Sequence, residues 1–162
     1  VTVDTGHASV SLVKFENVKE GKSHALIGIK MAMQENWHTY WKNPGDSGGP
    51  IKVKWSHDDN ISISELYWPT PTLIPYEPLM TYGYKNFVIF PYEINNSNDK
   101  NSFIEANIDF LICDDICVPE KALIRTNLNE IKNDAELYDW FLKVPSQILP
   151  VSASVDLSLI HI

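Results

Sequence analysis

Apolar residues occupy every second position along one segment in the second half of the chain. The positions are Ile104, Ala106, Ile108, Phe110 and Ile112, which lead directly into Cys113. A period of two residues is typical of a β-strand with one buried face, because successive side chains point to opposite sides of a sheet. The segment therefore predicts a long strand that ends at a cysteine.

Shorter stretches with the same pattern recur along the rest of the chain, separated by clusters of Gly, Pro, Asn and Asp. They lie at residues 7–15, 25–33, 51–55, 61–63 and 87–90, and from Leu123 onward. Many short strands divided by turn residues are typical of an antiparallel sandwich or barrel. The predicted fold class is therefore all-β.

The segment from Asp134 to Lys143 has a helical rather than an extended period. Its apolar residues Leu137, Trp140 and Phe141 are spaced to share one face of a helix. Asp134 is placed to cap the start of this helix, and Pro145 ends it. A short C-terminal helix is therefore predicted beside the strands.

Length and local composition predict how the chain is divided. Residues 1–145 are predicted to form one domain, and residues 146–156, with Pro150 and small polar residues, are predicted to form a linker. No apolar run in the chain approaches the roughly 20 residues that cross a bilayer. The chain begins at Val1 without a signal-peptide pattern, so we expect that its start was removed. Residues 157–162 match the translation of a transposon end used in sequencing libraries, and we expect them to be an artefact.

Four prolines fall within the ten residues 69–78. Proline has no N–H to donate and does not fit a central strand, so this segment is predicted to be an irregular, stiff loop. The residues that follow, 79–84, are apolar and aromatic. That composition indicates a loop that covers another part of the molecule.

The charge of the chain limits its partners. The chain carries 21 acidic and 13 basic side chains, a formal charge of −8. Nucleic acids and anionic membranes are bound through clustered Lys and Arg, so neither is an expected partner. We expect a protein or a small molecule instead.

Cys113 and Cys117 are the two cysteines, too few for a disulfide-framework protein. In an extended strand they would stand roughly 13 Å apart, whereas a disulfide needs Cα atoms about 4.4 to 6.8 Å apart, so residues 114–116 must turn if the pair closes. A ring this small stabilises a fold by only about 2 kcal/mol, which favours a reversible redox pair over a structural bridge. A structural bridge and a metal site with His38, His57 or Met80 remain alternatives.

Four acidic residues lie close to this pair in sequence: Asp109, Asp114, Asp115 and Glu120. Negative charge disfavours a thiolate, so the thiols are predicted to be slow attackers. The oxidised pair would then serve best as the disulfide that a partner thiolate attacks.

Gly45–Pro50 reads Gly-Asp-Ser-Gly-Gly-Pro, the letters found around the nucleophile of trypsin-like serine proteases. In those proteases a His and an Asp precede the serine within a fold of two barrels, which the 46 residues before Ser47 cannot hold. Turn chemistry explains the same letters, so we do not expect protease activity.

Several motifs follow one another in the order found in a known family. They are Trp-His-Thr-Tyr-Trp-Lys-Asn-Pro-Gly-Asp-Ser-Gly at 37–48, Trp68-Pro69, Tyr82-Gly83-Tyr84, Phe90-Pro91, and Asp-Phe-Leu-Ile-Cys-Asp-Asp-Ile-Cys-Val-Pro at 109–119. Together they resemble the N-terminal periplasmic domains of the DsbD and ScsB thiol:disulfide interchange proteins, the ScsB-like members more closely. The resemblance covers roughly residues 10–145.

The resemblance implies an immunoglobulin-like β-sandwich in which Cys113 and Cys117 are the catalytic pair. It implies that Cys117 forms the mixed disulfide with partner proteins. In this family a cap loop shields the pair until a partner docks. That loop, also a partner-binding segment, would here consist of Met80, Thr81, Tyr82 and Gly83.

The resemblance also implies a role as a protein-disulfide reductase module of the bacterial periplasm, without a bound cofactor. Electrons would arrive from a membrane-embedded domain through a thioredoxin-like domain of the same full-length protein. They would leave to a periplasmic disulfide isomerase or another thiol protein. The linker at 146–156 would lead toward a missing membrane domain, and contact with the membrane would be made only by this missing C-terminal part.

Two departures from the DsbD pattern leave alternatives open. Three residues rather than five separate the cysteines, and Met80 or Thr81 stands near the place of a phenylalanine in the cap. A methionine near a thiol pair keeps copper handling as an alternative, because ScsB-like proteins are associated with copper tolerance. A passive docking module with a structural disulfide is the other alternative.

The aromatic residues Trp37, Tyr40, Trp41 and Trp68 are interpreted as parts of the core.

Overall fold

The computed structural model describes residues 1–19, 22–45, 48–76, 79–96 and 101–145. Within them the chain forms a 3₁₀ turn at Leu128–Glu130 and one helix, α1, at Glu136–Phe141. The strands, in chain order, are β1 (Thr2–Asp4), β2 (Ala8–Lys19), β3 (Lys22–Met33), β4 (His38–Gly45), β5 (Lys52–His57), β6 (Ile61–Ile63), β7 (Thr72–Tyr76), β8 (Leu79–Lys85), β9 (Phe87–Asn96), β10 (Phe103–Cys113), β11 (Cys117–Asn127) and β12 (Lys132–Asn133).

The strands form two sheets. The first has the order β1-β2-β3-β9-β6, with β12 added in parallel alongside β2. The second has the order β11-β10-β4-β8-β7, with β5 paired to the first half of β10. Apart from β12, the paired strands are antiparallel. The predicted antiparallel sandwich with a short C-terminal helix is therefore confirmed.

The core lies between the two sheets and contains the inward faces of their long strands. All five alternating positions of β10 are buried, as their spacing predicts. Opposite them β3 contributes Ile27, Ile29 and Met31, which are fully buried. Burying one such side chain contributes roughly 1.5 to 3 kcal/mol, so this face holds β10 firmly in place up to Cys113.

Helix α1 closes the outer side of the first sheet. Leu137 is fully buried there against Val13, Leu26 and Ile89. Gly28 makes room for this contact, because a Cβ at that position would lie 2.6 Å from a methyl group of Leu137. The helix begins two residues after Asp134, whose carboxylate accepts a hydrogen bond from the N–H of Glu136 at 3.0 Å.

The prediction of an irregular loop across the proline-rich segment is wrong for residues 72–76, and residues 77 and 78 lie outside the described residues. Residues 72–76 form β7, and residues 79–85 form β8, which pairs with both β7 and β4. Strand β7 lies at the edge of the second sheet, where a residue without an N–H is tolerated, and Pro75 pairs there with Met80. Strand β4 was also not predicted, because its residues 38–40 are all buried and do not alternate.

Several predictions fall outside the described residues. These are the linker at 146–156, the artefact at 157–162, and Asp46 and Ser47 of the protease-like letters. Among the residues that are described, no helix combines the length and apolar character required to cross a membrane.

Candidate functional site

The two cysteines close a β-hairpin at one end of the second sheet. Strands β10 and β11 pair without a register shift from Phe103 opposite Asn127 to Cys113 opposite Cys117. Residues 114–116 make the turn, in which the N–H of Asp114 donates to the carbonyl of Ile116 at 3.0 Å. The two Cα atoms lie 4.1 Å apart and the sulfurs form a disulfide. The turn that the spacing requires is therefore present.

The two sulfur-bearing residues differ in their access to solvent. Cys113 is 1% exposed, whereas Cys117 is exposed. The turn before Cys117 is exposed as well, and Ile116 shows 66% of its surface. A partner approaching from solvent therefore meets Cys117 first.

Strand β4 contributes three buried residues beside β10, the strand that ends at Cys113. His38 pairs with Cys113 across the sheet. The hydroxyl of the fully buried Thr39 donates to the carbonyl of Leu111 at 2.8 Å, which fastens β4 to β10. Tyr40 follows, with its ring at 5.3 Å and edge-on to the ring of His38.

The hydroxyl of Tyr40 touches the disulfide. It donates to Sγ of Cys113 at 2.9 Å and lies 3.5 Å from Sγ of Cys117. Tyr40 is 1% exposed, yet it does not belong to the main apolar cluster, whereas Trp37, Trp41 and Trp68 pack against that cluster as predicted. The interpretation of Tyr40 as an ordinary core residue therefore missed its contact with the sulfurs. Its place within the motif at 37–48 was the available signal.

Gly48 covers the ring of Tyr40. A Cβ at position 48 would lie too close to Cζ of the ring, and the φ of +90° is one that other residues rarely adopt. Only glycine therefore lets the backbone after β4 lie flat on this ring. The contact limits where the Tyr40 hydroxyl can point.

The acidic residues near the cysteines in sequence are not all near them in space. Glu120 is buried against residues 5–7. Its carboxylate accepts hydrogen bonds there from the hydroxyl of Thr5 and from Nδ1 and the backbone N–H of His7. Asp109 pairs with Lys121 at 3.2 Å. The carboxylates beside the disulfide are thus the exposed Asp114 and Asp115 of the turn.

His38 is held in its neutral form. Burial is the main cause that lowers the pKa of His38 from its ordinary value near 6.5; Asp114 opposes this and Lys85 adds to it. At neutral pH the imidazole beside Cys113 is therefore uncharged. It does not supply a positive charge to a thiolate there.

Acidification should reveal this buried histidine. The unfolded chain binds a proton at His38 near pH 6.5 and the folded chain only at lower pH, so its contribution to stability is present above pH 6.5 and is lost as the pH falls. A His38→Gln variant should therefore lose less stability than the native protein between pH 7 and 5, by at most about 1.4 kcal/mol per pH unit. Urea unfolding at several pH values measures this difference. Parallel curves for the two proteins would contradict the prediction.

The predicted cap residues lie within β8 rather than in a loop. Met80 and Tyr82 are exposed, whereas Thr81 and Gly83 are buried. Gly83 pairs with Tyr40, and a Cβ there would overlap the carbonyl of Thr39, so glycine allows this close approach. The predicted cap is thus connected to the disulfide through Tyr40, while its role as a cap stays a prediction.

The register between β4 and β8 is interrupted beside these residues. Tyr40 opposes Gly83 but Gly45 opposes Thr81, so residues 41–44 bulge out of the ladder opposite Tyr82. Trp41 in this bulge meets the ring of Tyr82 edge-on at 6.3 Å. Aromatic surface thus continues outward from the disulfide.

The two histidines considered for metal binding lie at opposite ends of β10. His38 lies opposite Cys113, whereas His57 pairs with Ile104 at the far end of β10 and Met80 is an exposed residue of β8. Within the described part of the chain, no three His, Cys, Asp or Glu side chains cluster as metal ligands.

Comparison with known proteins agrees with this geometry. The family model described as thiol:disulfide interchange protein DsbD, N-terminal, matches residues 10–128, which include both cysteines. No curated protein matches the chain.

Among solved structures, the N-terminal periplasmic domain of ScsB from Proteus mirabilis superposes with a TM-score of 0.66 at 22% sequence identity. The match covers 89% of this chain and 58% of the ScsB domain, so this chain spans little more than half of that domain. This likeness confirms the predicted immunoglobulin-like fold. Because the family model covers well over half of its length, the chain belongs to the family of DsbD N-terminal domains, which are thiol:disulfide interchange domains.

Proposed function

We propose that this domain relays electrons in the periplasm by accepting them from one thiol protein and passing them to the disulfide of another. The observation that carries this proposal is the asymmetry of the disulfide, in which Cys117 is exposed and Cys113 is buried against Tyr40. An exchange pair needs one accessible sulfur to be attacked and one protected sulfur to leave. The Cys113–Cys117 hairpin has this arrangement.

The reduction proceeds in two balanced exchanges. A partner thiolate attacks Sγ of Cys117, the Cys113–Cys117 bond breaks, and its electron pair goes to Sγ of Cys113. The second thiolate of the same partner then attacks the mixed disulfide. This releases Cys117 as a thiolate and leaves the partner oxidised, with a disulfide of its own. Two electrons have entered the domain, and two protons from solvent complete the thiols. Delivery to an acceptor disulfide is the same sequence in reverse, with Cys117 as the attacking thiolate.

A purely structural bridge explains the arrangement less well. The strands that the bridge joins are already paired along their whole length, and β10 is held by its buried face. A ring of this size adds only about 2 kcal/mol. An exposed Cys117 sulfur adds nothing to this stabilisation, whereas thiol–disulfide exchange requires an exposed sulfur.

The donor and acceptor that we propose are thioredoxin-like proteins. The donor is a thioredoxin-like domain of the same full-length protein, and the acceptor is a periplasmic disulfide isomerase or a related thiol protein. Met80 and Tyr82, exposed on β8, together with the buried Thr81 and Gly83, form the cap segment that meets the partner. Apolar and aromatic surface of this kind suits protein contacts.

The reduction potential of the pair tests the proposal. Equilibration of the domain with glutathione buffers, followed by mass measurement of free thiols, should give a value between about −180 and −270 mV, the range of exchange proteins. A value below about −300 mV would mark a structural bridge and overturn the proposal.

A further inference from the structure

We propose that Tyr40 is a catalytic residue, whose hydroxyl donates a hydrogen bond to the charge that develops on Cys113 and so makes Cys113 the leaving sulfur. The inference rests on the proposed exchange function and deepens it. It adds a chemical reason for Cys113 to be the leaving sulfur to the reason that solvent exposure provides. An exposed sulfur can be attacked, but the rate also depends on how well the other sulfur carries the electron pair.

The geometry singles out Cys113 as the sulfur that Tyr40 serves. The Tyr40 hydroxyl donates to Sγ of Cys113 at 2.9 Å, and the distance to Sγ of Cys117 is longer, at 3.5 Å. Tyr40 is 1% exposed, and a hydrogen bond to an ionised group is strongest where water is excluded. The hydroxyl thus supports the sulfur that water solvates least.

The neighbouring His38, Asp114 and Asp115 do not stabilise a thiolate on Cys113, whereas Tyr40 can. His38 is neutral at neutral pH because burial lowers its pKa, so it contributes no cation. The carboxylates of Asp114 and Asp115 in the turn disfavour a nearby thiolate. A neutral O–H donor can stabilise the thiolate without adding a charge to a buried site.

The fold holds this donor in position. Gly48 lies against one face of the Tyr40 ring, and His38 contacts the ring edge-on. The hydrogen bond from Thr39 to Leu111 fixes the strand that carries the ring to the strand that carries Cys113. A donor held in advance does not have to reorganise when charge appears.

In the reaction, the bond between Cys113 and Cys117 breaks as the partner sulfur bonds to Cys117. The electron pair moves to Sγ of Cys113, where the Tyr40 O–H bond points at it. The tyrosine keeps its proton, and Cys113 is protonated from solvent later. No oxidant or reductant beyond the partner dithiol is needed.

The substitution Tyr40→Phe removes the hydroxyl and keeps the ring. In a Cys117→Ala background, it should raise the thiol pKa of Cys113 by about one to two units, the size expected for a lost hydrogen bond to an ionised group. In the protein with both cysteines, it should slow reduction by dithiothreitol about tenfold, because a more basic thiolate leaves more slowly. Ultraviolet absorbance of the thiolate and stopped-flow thiol assays measure the two effects.

Tyr84→Phe is the matched control. Tyr84 is also a buried tyrosine of the second sheet, but its hydroxyl donates to the carbonyl of Pro69 at 2.7 Å. Its loss has a similar cost in stability and should leave the Cys113 pKa and the reduction rate unchanged. Equal effects of Tyr40→Phe and Tyr84→Phe on the Cys113 pKa, or no effect of either, would overturn the proposal.

A second replacement keeps the hydroxyl and should change the Cys113 pKa and the reduction rate in the opposite direction. Site-specific 3-fluorotyrosine at position 40 is a stronger donor, so the Cys113 pKa should fall and reduction should quicken. A Cys113 pKa that is unchanged or higher contradicts the proposal.

Failure of this inference can be distinguished from failure of the proposed function. If Tyr40→Phe changes neither the Cys113 pKa nor the reduction rate while Cys117→Ser still abolishes exchange, the role of Tyr40 fails and the proposed function stands. If the native disulfide does not exchange with dithiothreitol or a thioredoxin, the proposed function fails.

Discussion

Replacing Cys117 by serine is expected to abolish exchange with thioredoxin-fold partners, a loss of at least about a thousandfold, while the sandwich remains folded. Cys117 carries the accessible sulfur, and a serine oxygen neither accepts a disulfide electron pair nor forms a mixed disulfide. The fold should tolerate the change, because the exposed side chain contributes little packing and the lost ring costs only about 2 kcal/mol. Exchange with oxidised glutathione and with a thioredoxin, followed by mass spectrometry, measures the effect.

Cys113→Ala is the matched comparison, because it breaks the same ring and leaves the other sulfur in place. The reduced variant should form a mixed disulfide through Cys117 that persists, since the resolving thiol is absent. A passive docking module would behave differently, because both variants would bind partners without forming any covalent adduct. Adducts that form in Cys117→Ser and not in Cys113→Ala would show that the buried sulfur is the attacking one, contrary to the proposal.

Gly48→Ala should be a strongly damaging small substitution near the site. The added methyl group would overlap the ring of Tyr40, and alanine at a φ of +90° carries backbone strain of about 1 to 2 kcal/mol. We expect the free energy of unfolding to fall by at least about 2 kcal/mol, and the reduction rate to change as the ring moves away from the sulfurs. Urea unfolding and dithiothreitol reduction measure the two effects on the same samples.

The neighbouring glycine provides the control for this prediction. A Cβ at Gly49 would meet no atom within 4 Å, so Gly49→Ala should change stability by less than about 0.5 kcal/mol. Both substitutions add the same methyl group to the same segment. A similar loss in the two variants would mean that general stiffening of this segment, and not the contact with Tyr40, explains the effect.

Local sequence was sufficient to predict the strand and turn that carry the cysteines. The alternation from Ile104 to Ile112 marks the buried face of β10, and the four-residue spacing of Cys113 and Cys117 requires a turn between them. Both signals act over a few residues, which is the range within which period and spacing determine local structure. The motifs shared with the family extended this to the sandwich as a whole.

The strands β7 and β8 show where local signals fail. Four prolines disfavour a central strand, but Pro75 lies at a sheet edge where no N–H is needed, and this edge position is a property of the whole sheet. The residues 38–40 of β4 likewise show no alternation, because they are buried on both faces beside the disulfide. Residues of β4, β7 and β8 form strands because they pair with neighbouring strands of the sheet, and not because of their local sequence pattern.

Side-chain period and short spacing were enough to predict an all-β fold with one closely spaced cysteine pair joined by a turn, because those features depend only on neighbouring residues. The exposure of one sulfur, the hydrogen bond from Tyr40 to the other, and the contact of Gly48 with the Tyr40 ring all depend on how distant strands pack together. Tyr40 and Cys113 are 73 positions apart and meet because β4 and β10 are neighbours in one sheet. Such a contact depends on strand order, which is decided by the packing of the whole domain and not by any local pattern.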